Sequence, residues 1–244
     1  MPSIKDLRHP NNDIARNIGI ARGDFKNDLS HVNKFGFSSS VGATFQTVWD
    51  GNNLYTYPAT AGTVQITSSS GSDTGAIITV KGLDQDYNLA EEDITVAGAR
   101  GDKTFIRVFR AFVKTPASGQ TTNVGNIDLV HTQADSTDTT IAKILAGNGQ
   151  TLMAVYTVPA GHRAYILKFQ GSLEKVKDTV FQGVARPFNG AFRVQGVYGS
   201  SGTPVTCEYP VPLAFPEKTD FEVRVKAGAT TGASAIFDII LERL

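Results

Sequence analysis

Three oxygen-bearing side chains, Asp84, Asp86 and Asn88, have the D-x-D-x-N spacing with which a calcium-binding loop begins. A complete loop also needs a glycine at its sixth position and a bidentate glutamate at its twelfth. The chain has Leu89 and Thr95 at those two positions. The spacing therefore predicts a solvated turn between two strands, and we expect neither a bound metal nor another cofactor.

The other side chains that could take part in catalysis are isolated in the sequence. The consecutive acids Glu91–Asp93 would point to alternating faces of a strand, which does not suit a catalytic pair. The lone Cys207 has no nucleophile motif around it, so its default role is that of a small buried hydrophobe. The histidines are too scattered to suggest a zinc site: His9, His31, His131 and His162. We therefore expect no catalytic residues and no enzyme activity. Spacing in the sequence does not exclude a hydrolase whose fold brings two distant carboxylates together across a cleft.

A set of aromatic residues could stack on sugar rings: Trp49, Tyr55, Tyr57, Phe105 and Phe109. In β proteins such residues more often fill the core or flank a sheet edge. A protein that binds a host receptor or a glycan would need an exposed cluster of aromatic and acidic side chains at loop tips. The sequence alone leaves this alternative open.

The elements that would carry these residues are β-strands. In Gly75–Gly98 two stretches flank the turn, and Ile78 and Val80 alternate with neighbours on the opposite face, which predicts a half-buried hairpin. Lys103–Lys114 is apolar on both faces, each interrupted by one arginine. A strand covered on both sides, with a bulge near Val108–Phe109 that turns an arginine outward, would explain this pattern.

The second half of the chain repeats the pattern with about seven short strands. Its clearest example is Asp220–Lys226, where every second residue is apolar and should lie on one buried face. In Arg163–Phe169, the residues Tyr165, Leu167 and Phe169 are predicted to share an apolar face. Short strands joined by turn residues predict an all-β fold of antiparallel β-sandwich or jelly-roll units.

The first 35 residues differ from the rest, because they are polar and have too few apolar side chains to build a core. Asp13 could cap a short helix there. We therefore predict an extended N-terminal arm at 1–35, a β-sandwich unit at 36–149 and a β-sandwich or jelly-roll unit at 150–244. The arm either folds back on its own β unit or binds a partner, and the candidate partner-binding residues are Ile4, Leu7, Arg8, Ile14, Arg16, Ile18 and Arg22.

Composition argues against several classes of partner. The chain has 23 Lys and Arg against 23 Asp and Glu, and no basic block that would attract nucleic acid. It contains no apolar stretch long enough to span a membrane. A single cysteine excludes an internal disulfide, which predicts synthesis in a reducing host cytoplasm.

Three segments carry a resemblance to a known group of proteins. They are IKDLRHPNNDIARNIGIARGDFKNDLSHVNKFGF, VWDGNNLYTY with ITVKGLDQDYN, and GQTLMAVYTVPAGHRAYI. In these segments, and over nearly its whole length, the chain resembles virion proteins of tailed phages from marine and cyanobacterial hosts. The resemblance marks a lineage and identifies no active site, and it implies a component of the virus particle.

The resemblance implies, and the other observations are compatible with, a non-enzymatic structural protein of a tailed-phage virion. It would form an oligomeric ring at the neck or tail, or decorate the capsid, with other virion proteins and further copies of itself as partners. The N-terminal arm would attach it to the particle. The alternative is a host-receptor or glycan-binding adhesin of the particle.

Overall fold

The computed structural model describes residues 13–25, 28–133 and 136–244, and nearly all of the regular secondary structure in these residues is antiparallel β-sheet. This confirms the predicted all-β class. Within these residues one α-helix, α1, spans Asp13–Arg22, and a short 3₁₀ helix spans Gly71–Asp73. The strands are β1 (Leu29–Val41), β2 (Gln46–Thr47), β3 (Gly62–Ser68), β4 (Ile77–Leu83), β5 (Leu89–Thr95), β6 (Thr104–Phe105), β7 (Arg107–Thr115), β8 (Ile127–Gln133), β9 (Ser136–Ile144), β10 (Val155–Thr157), β11 (His162–Leu173), β12 (Asp178–Arg186), β13 (Arg193–Ser201), β14 (Val205–Phe215), β15 (Asp220–Ala227) and β16 (Thr231–Arg243).

The strands from both ends of the described chain, β1, β2 and β10–β16, form what we call the enclosing sandwich. One of its sheets has the order β1-β16-β11-β14, and the other has the order β10-β15-β12-β13 with β2 paired to β15. The two sheets share one core, to which Phe181 and Ile239 contribute. Phe221, Val223 and Val225 are all buried, which confirms the predicted buried face of β15.

The intervening strands β3–β9 form the inserted sandwich. Its sheets have the orders β6-β3-β8-β9 and β5-β4-β7, and they share a second core that contains Ile66, Ile78 and Leu129. The predicted hairpin is confirmed, because β4 and β5 pair in one continuous antiparallel register. Each sandwich thus has its own apolar core, and the chain runs from the enclosing one into the inserted one and back.

This topology differs from the predicted division at residues 35 and 149. Leu29–Val41, of which the first seven residues were predicted to belong to the arm, is strand β1 and pairs with β16. The sequence does not show the alternation expected of a half-buried strand, because the buried positions include Lys34, Gly36 and Ser38, and none of these is a large apolar residue. A glycine is required at position 36, since a Cβ there would lie 2.2 Å from the carbonyl oxygen of Val48.

A bulge in β7 separates its two arginines. The pairing with β4 shifts between Val108 and Arg110, so Phe109 is the extra residue. Arg110 is exposed, whereas Arg107 is buried. This confirms the predicted bulge, and it leaves the second arginine inside the protein.

A second bulge, in β11, changes which residues face the core. The pairing with β16 shifts after Ile166, so Leu167 is the extra residue in that pair of strands, and the pairing with β14 is interrupted at the same point. The predicted apolar face of Tyr165, Leu167 and Phe169 is therefore wrong. Instead Ala164 and Phe169 are buried in the core, and Ile166 packs against it.

The chain crosses between the sandwiches through two paired segments. The backbone N–H of Ala154 donates to the carbonyl of Val48 at 2.9 Å, and the N–H of Asp50 donates to the carbonyl of Leu152 at 3.1 Å. The Oδ2 atom of Asp50 accepts from the N–H of Leu152 at 2.8 Å, while its Oδ1 atom is buried without a partner among the described residues. Burial raises the pKa of Asp50 to about 7, although the hydrogen bond from Leu152 acts in the opposite direction.

We predict that Asp50 makes stability pH-dependent. Because its pKa is higher in the folded than in the unfolded protein, the contribution of Asp50 to the free energy of unfolding should fall as the pH rises from about 4 to about 7. Asp50→Asn keeps the acceptor for Leu152 and removes the charge. The difference in stability between Asp50→Asn and wild type should therefore grow across this window by up to about 1.4 kcal/mol per pH unit, measured by urea unfolding. A difference that stays constant between pH 4.5 and pH 8 would show that the carboxyl group ionises freely.

Candidate functional site

A buried ion pair joins the two sandwiches. Arg107 begins β7 of the inserted sandwich, and Asp220 begins β15 of the enclosing sandwich. The Nε atom of Arg107 donates to Oδ1 of Asp220 at 2.8 Å, and its Nη2 atom donates to Oδ2 at 3.1 Å. Both side chains are less than a tenth exposed. A bidentate pair of this kind fixes the orientation of both groups as well as their distance.

Each partner of this pair is fully engaged. The Nη1 atom of Arg107 donates to the carbonyls of Pro58 and Ile106 at 2.8 and 2.7 Å. Asp220 also accepts from the hydroxyl of Thr157 at 2.6 Å and from Nε of Arg186 at 3.0 Å. Burial alone would lower the pKa of Arg107, but the hydrogen bonds and the charge of Asp220 raise it. The pair is therefore charged and satisfied, which is the condition for keeping charges inside a protein.

A second carboxylate lies beside the first. Glu222, which is 2% exposed, accepts hydrogen bonds from the hydroxyl groups of Thr47 and Tyr57 at 3.1 and 3.3 Å and from Nε of Arg224 at 2.5 Å. Burial raises the pKa of Glu222, and the charge of Arg224 offsets part of that rise. Desolvation, together with the nearby Glu222 charge, also raises the pKa of the Tyr57 hydroxyl. The carboxylates at the start of β15, Asp220 and Glu222, are thus both inside the protein.

The cations of this region alternate with aromatic rings, and we call the set the cation–aromatic ladder. Its members in spatial order are Arg224, Phe192, Arg186, Tyr57, Arg107, Tyr87, Lys218 and Phe188. Each cation lies between 4.7 and 5.6 Å from the centroid of the next ring. Contacts of this kind contribute about 0.5–2 kcal/mol each, and more where water is excluded. The ladder continues the ion pair into a band that crosses from one sandwich to the other.

A cavity of about 240 Å³ lies at the Lys218 end of the ladder. Its lining includes the aromatic side chains Tyr57, Tyr87 and Phe188, and it draws on residues from both sandwiches. The charged side chains on its wall are three cations and one carboxylate: Arg107, Arg186, Lys218 and Asp220. These leave an excess of two positive charges.

A further contact between the sandwiches buries a lysine. The Nζ atom of Lys34 on β1 donates to the carbonyl of Phe109 on β7 and lies 5.9 Å from the centroid of that ring. Burial, with a smaller contribution from the charge of Arg110, lowers the pKa of Lys34 to about 7. Like Asp50, this side chain is stabilised in its neutral form at the junction.

The predicted partner-binding residues lie partly outside the described structure. Ile4, Leu7 and Arg8 are outside the described residues. Ile14 and Arg16 lie on helix α1, but their side chains are not described, so the partner-binding role of all five residues stays a prediction. On the same helix, Ile18 is 44% exposed, and Arg22 is also exposed.

Helix α1 rests on the enclosing sandwich. Ile20 is buried, and it lines a groove together with Ala21, His31, Leu167 and Ile240. The sequence allowed the arm either to fold back on its own β unit or to bind a partner. Ile20 folds back on the enclosing sandwich, whereas Ile18 stays exposed and is available to a partner.

Most of the residues considered for calcium and sugar binding have structural roles. The Oδ1 atom of Asp84 accepts from the backbone N–H groups of Asp86 and Asn88, both at 2.9 Å, and so closes the turn. Within the described residues, no group of three or more His, Cys, Asp or Glu side chains could hold a metal ion. The aromatic residues that fill the core, and so cannot stack on a sugar, are Trp49, Tyr55 and Phe105.

The sequence did not reveal the ion pair, although each partner was conspicuous. Arg107 interrupts an apolar face of its strand, and Asp220 begins the most regular strand of the chain. The two residues are 113 positions apart, so no local pattern connects them. The sequence does contain a signal for a buried ion pair: the strand is apolar on both faces, yet each face carries an arginine. An arginine inside a protein needs a carboxylate partner.

Comparisons with known proteins do not assign the chain to a family. No protein-family model and no curated protein matches it. A structure of infectious bursal disease virus, Gt strain, is similar with 12% identity over 88% of this chain and 72% of that chain, at a TM-score of 0.24. A crystal structure of the VP2 subviral particle of the same virus has 10% identity over 88% and 77%, at a TM-score of 0.17. TM-scores this low carry no argument about fold or function. No helix in the described part of the chain is long and apolar enough to cross a bilayer.

We predict that Asp220→Asn destabilises the protein by about 3–5 kcal/mol, because it leaves two guanidinium groups without their carboxylate. The matched control is Asp178→Asn, since Asp178 also begins a strand but is exposed, and within the described residues its carboxylate accepts a hydrogen bond only from the hydroxyl of Ser201. That control should change stability by less than about 0.5 kcal/mol. Urea unfolding measures both. Equal effects of the two substitutions would mean that the buried pair does not hold the sandwiches together.

Proposed function

We propose that this protein is a non-enzymatic structural subunit of a virus particle, and specifically of a tailed-phage virion. It would form an oligomeric ring at the neck or tail or decorate the capsid, with copies of itself and other virion proteins as partners. The observation that carries this proposal is the distribution of polar and apolar surface. The buried charged side chains of Arg107 and Asp220 pair with one another where the two sandwiches meet, whereas large apolar side chains are exposed at one open edge.

That open edge is formed by β13 and β14. Each is the last strand of its sheet in the enclosing sandwich, and the side chains of Val194 and Val197 on β13 are 53% and 57% exposed. On β14, Val211 is 82% exposed. An edge strand offers unpaired backbone groups to another chain, and proteins that remain monomeric usually protect such edges with charged residues. We therefore assign this edge to contact between subunits.

The N-terminal segment is the proposed attachment to the particle. Its exposed residues Ile18 and Arg22 lie on a helix that is held to the enclosing sandwich through Ile20. In the same proposal, the apolar and basic side chains that would contact another virion protein are Ile4, Leu7, Arg8, Ile14, Arg16, Ile18 and Arg22. Full burial of one such apolar side chain is worth about 1.5–3 kcal/mol, so several must contribute to a stable attachment.

The β13–β14 edge can be tested with charge substitutions. We predict that the wild-type protein is an oligomer in light scattering and that Val194→Lys with Val197→Lys dissociates it, because both ammonium groups would have to be desolvated in the contact. Val124→Lys is the matched control, since Val124 is 45% exposed on the inserted sandwich. A wild-type monomer at all concentrations, or a double variant that still assembles, would contradict the proposed contact.

The attachment can be tested by deletion. We predict that a protein lacking residues 1–24 keeps its fold, because β1 begins at Leu29 and its pairing with β16 is retained. The same deletion should abolish incorporation into virus particles, measured by quantitative immunoblotting of purified particles. Thermal unfolding of the truncated protein provides the control for folding. Incorporation at the wild-type level would show that the segment is not the attachment.

A further inference from the structure

The cavity at the end of the cation–aromatic ladder has the position of a ligand site. It lies where the β2–β3 connection at Pro58 and the β4–β5 turn at Tyr87 meet loops of the enclosing sandwich, at Phe188 and Lys218. Binding sites for small ligands are often found at such junctions, as concave and partly apolar pockets with a few polar groups. A volume of about 240 Å³ is below the usual range of about 300–1,000 Å³ for drug-sized ligands. The cavity therefore suits a group as small as one sugar ring.

Two cationic groups on its wall have unused hydrogen-bond donors. Among the described residues, the Nζ atom of Lys218 has no hydrogen-bond or ion-pair partner, only the rings of Tyr87 and Phe188 at 5.6 and 5.2 Å. Arg186 binds Asp220 through Nε and Nη2, and its Nη1 atom has no hydrogen-bond partner in the described part of the chain. Asp220 already accepts hydrogen bonds from two guanidinium groups and one hydroxyl, so it cannot neutralise a further cation. The local excess of positive charge favours an anion.

The backbone around the cavity adopts an uncommon conformation. Tyr87, Asn189 and Lys218 have φ angles of +68°, +56° and +60°, and they account for three of the five non-glycine residues with positive φ in the described chain. Asparagine tolerates this region, whereas tyrosine and lysine adopt it at a cost of about 1–3 kcal/mol. Such residues cluster at binding sites, where the strained backbone holds side chains in place.

We propose that this cavity binds a carboxylate carried on a single sugar ring, as in a uronic acid. The carboxylate would accept hydrogen bonds from Nζ of Lys218 and from Nη1 of Arg186. The sugar ring would lie against Phe188, whose surface is 50% exposed. An acidic protein side chain offers the same carboxylate but no ring for Phe188, so the exposed aromatic residue favours the sugar acid. This inference does not depend on the proposed role in a virion.

The test is titration of the full chain with sodium glucuronate at low ionic strength, followed by NMR or calorimetry. We expect saturable binding that weakens as salt is added, and no binding of glucose, which has the same ring without the carboxylate. Lys218→Asn should weaken glucuronate binding about tenfold, because it removes the charge and places at this φ a residue that tolerates it. Lys175→Asn, on an exposed lysine next to the opposite end of β12, should leave affinity unchanged.

A second pair of measurements separates a sugar acid from a protein carboxylate. Phe188→Ala should weaken glucuronate binding several-fold. N-acetylglutamic acid α-amide, which keeps only the side-chain carboxylate, should bind at least about tenfold more weakly than glucuronate. Equal binding of the glutamate derivative would overturn the sugar-acid assignment in favour of an acidic peptide. Absence of saturable glucuronate binding, or equal loss in Lys218→Asn and Lys175→Asn, would overturn the site itself.

Discussion

The ion pair between Arg107 and Asp220 is the interaction on which the arrangement of the two sandwiches depends. Moving two charges from water into a protein interior is unfavourable by several kcal/mol per ion, unless both find complete sets of partners. Here the partners come from different elements: Thr157 and Arg186 from the enclosing sandwich, and the carbonyl of Pro58 from the connection between β2 and β3. A change in the relative position of the sandwiches would expose these charges to water or leave them buried without partners. The pair therefore acts as a specific lock, whereas the two apolar cores supply most of the burial.

The topology strengthens this lock. Because the inserted sandwich begins and ends within the enclosing one, two chain segments cross the junction, and they hydrogen-bond to each other through Val48 and Ala154. Lys34 and the cation–aromatic ladder add polar contacts on either side. A protein assembled from two cores in this way has few means of moving one against the other. Such rigidity suits a subunit that must present the β13–β14 edge and the N-terminal segment in fixed positions.

Local patterns in the sequence predicted the elements better than their partners. The β4–β5 hairpin, the bulge at Phe109 and the buried face of β15 follow from alternation within a few residues, which sequence displays directly. The strand β1 was missed because close packing selected Gly36 and Ser38 at its buried positions. The bulge at Leu167 shifted a face that simple alternation assigned wrongly. The ion pair and the ladder depend on residues far apart in the chain, and only the assembled fold brings them together.

The central claim is that the two sandwiches form one cooperative body locked by the buried pair, and native-state hydrogen exchange tests it most directly. The slowest amides of the inserted sandwich, such as Val80 and Leu129, should open with the same free energy as those of Val225 and Ile239 in the enclosing sandwich. That shared value should equal the global free energy of unfolding. If one set opened at a free energy lower by more than about 2 kcal/mol, the sandwiches would unfold separately and the claim would be wrong.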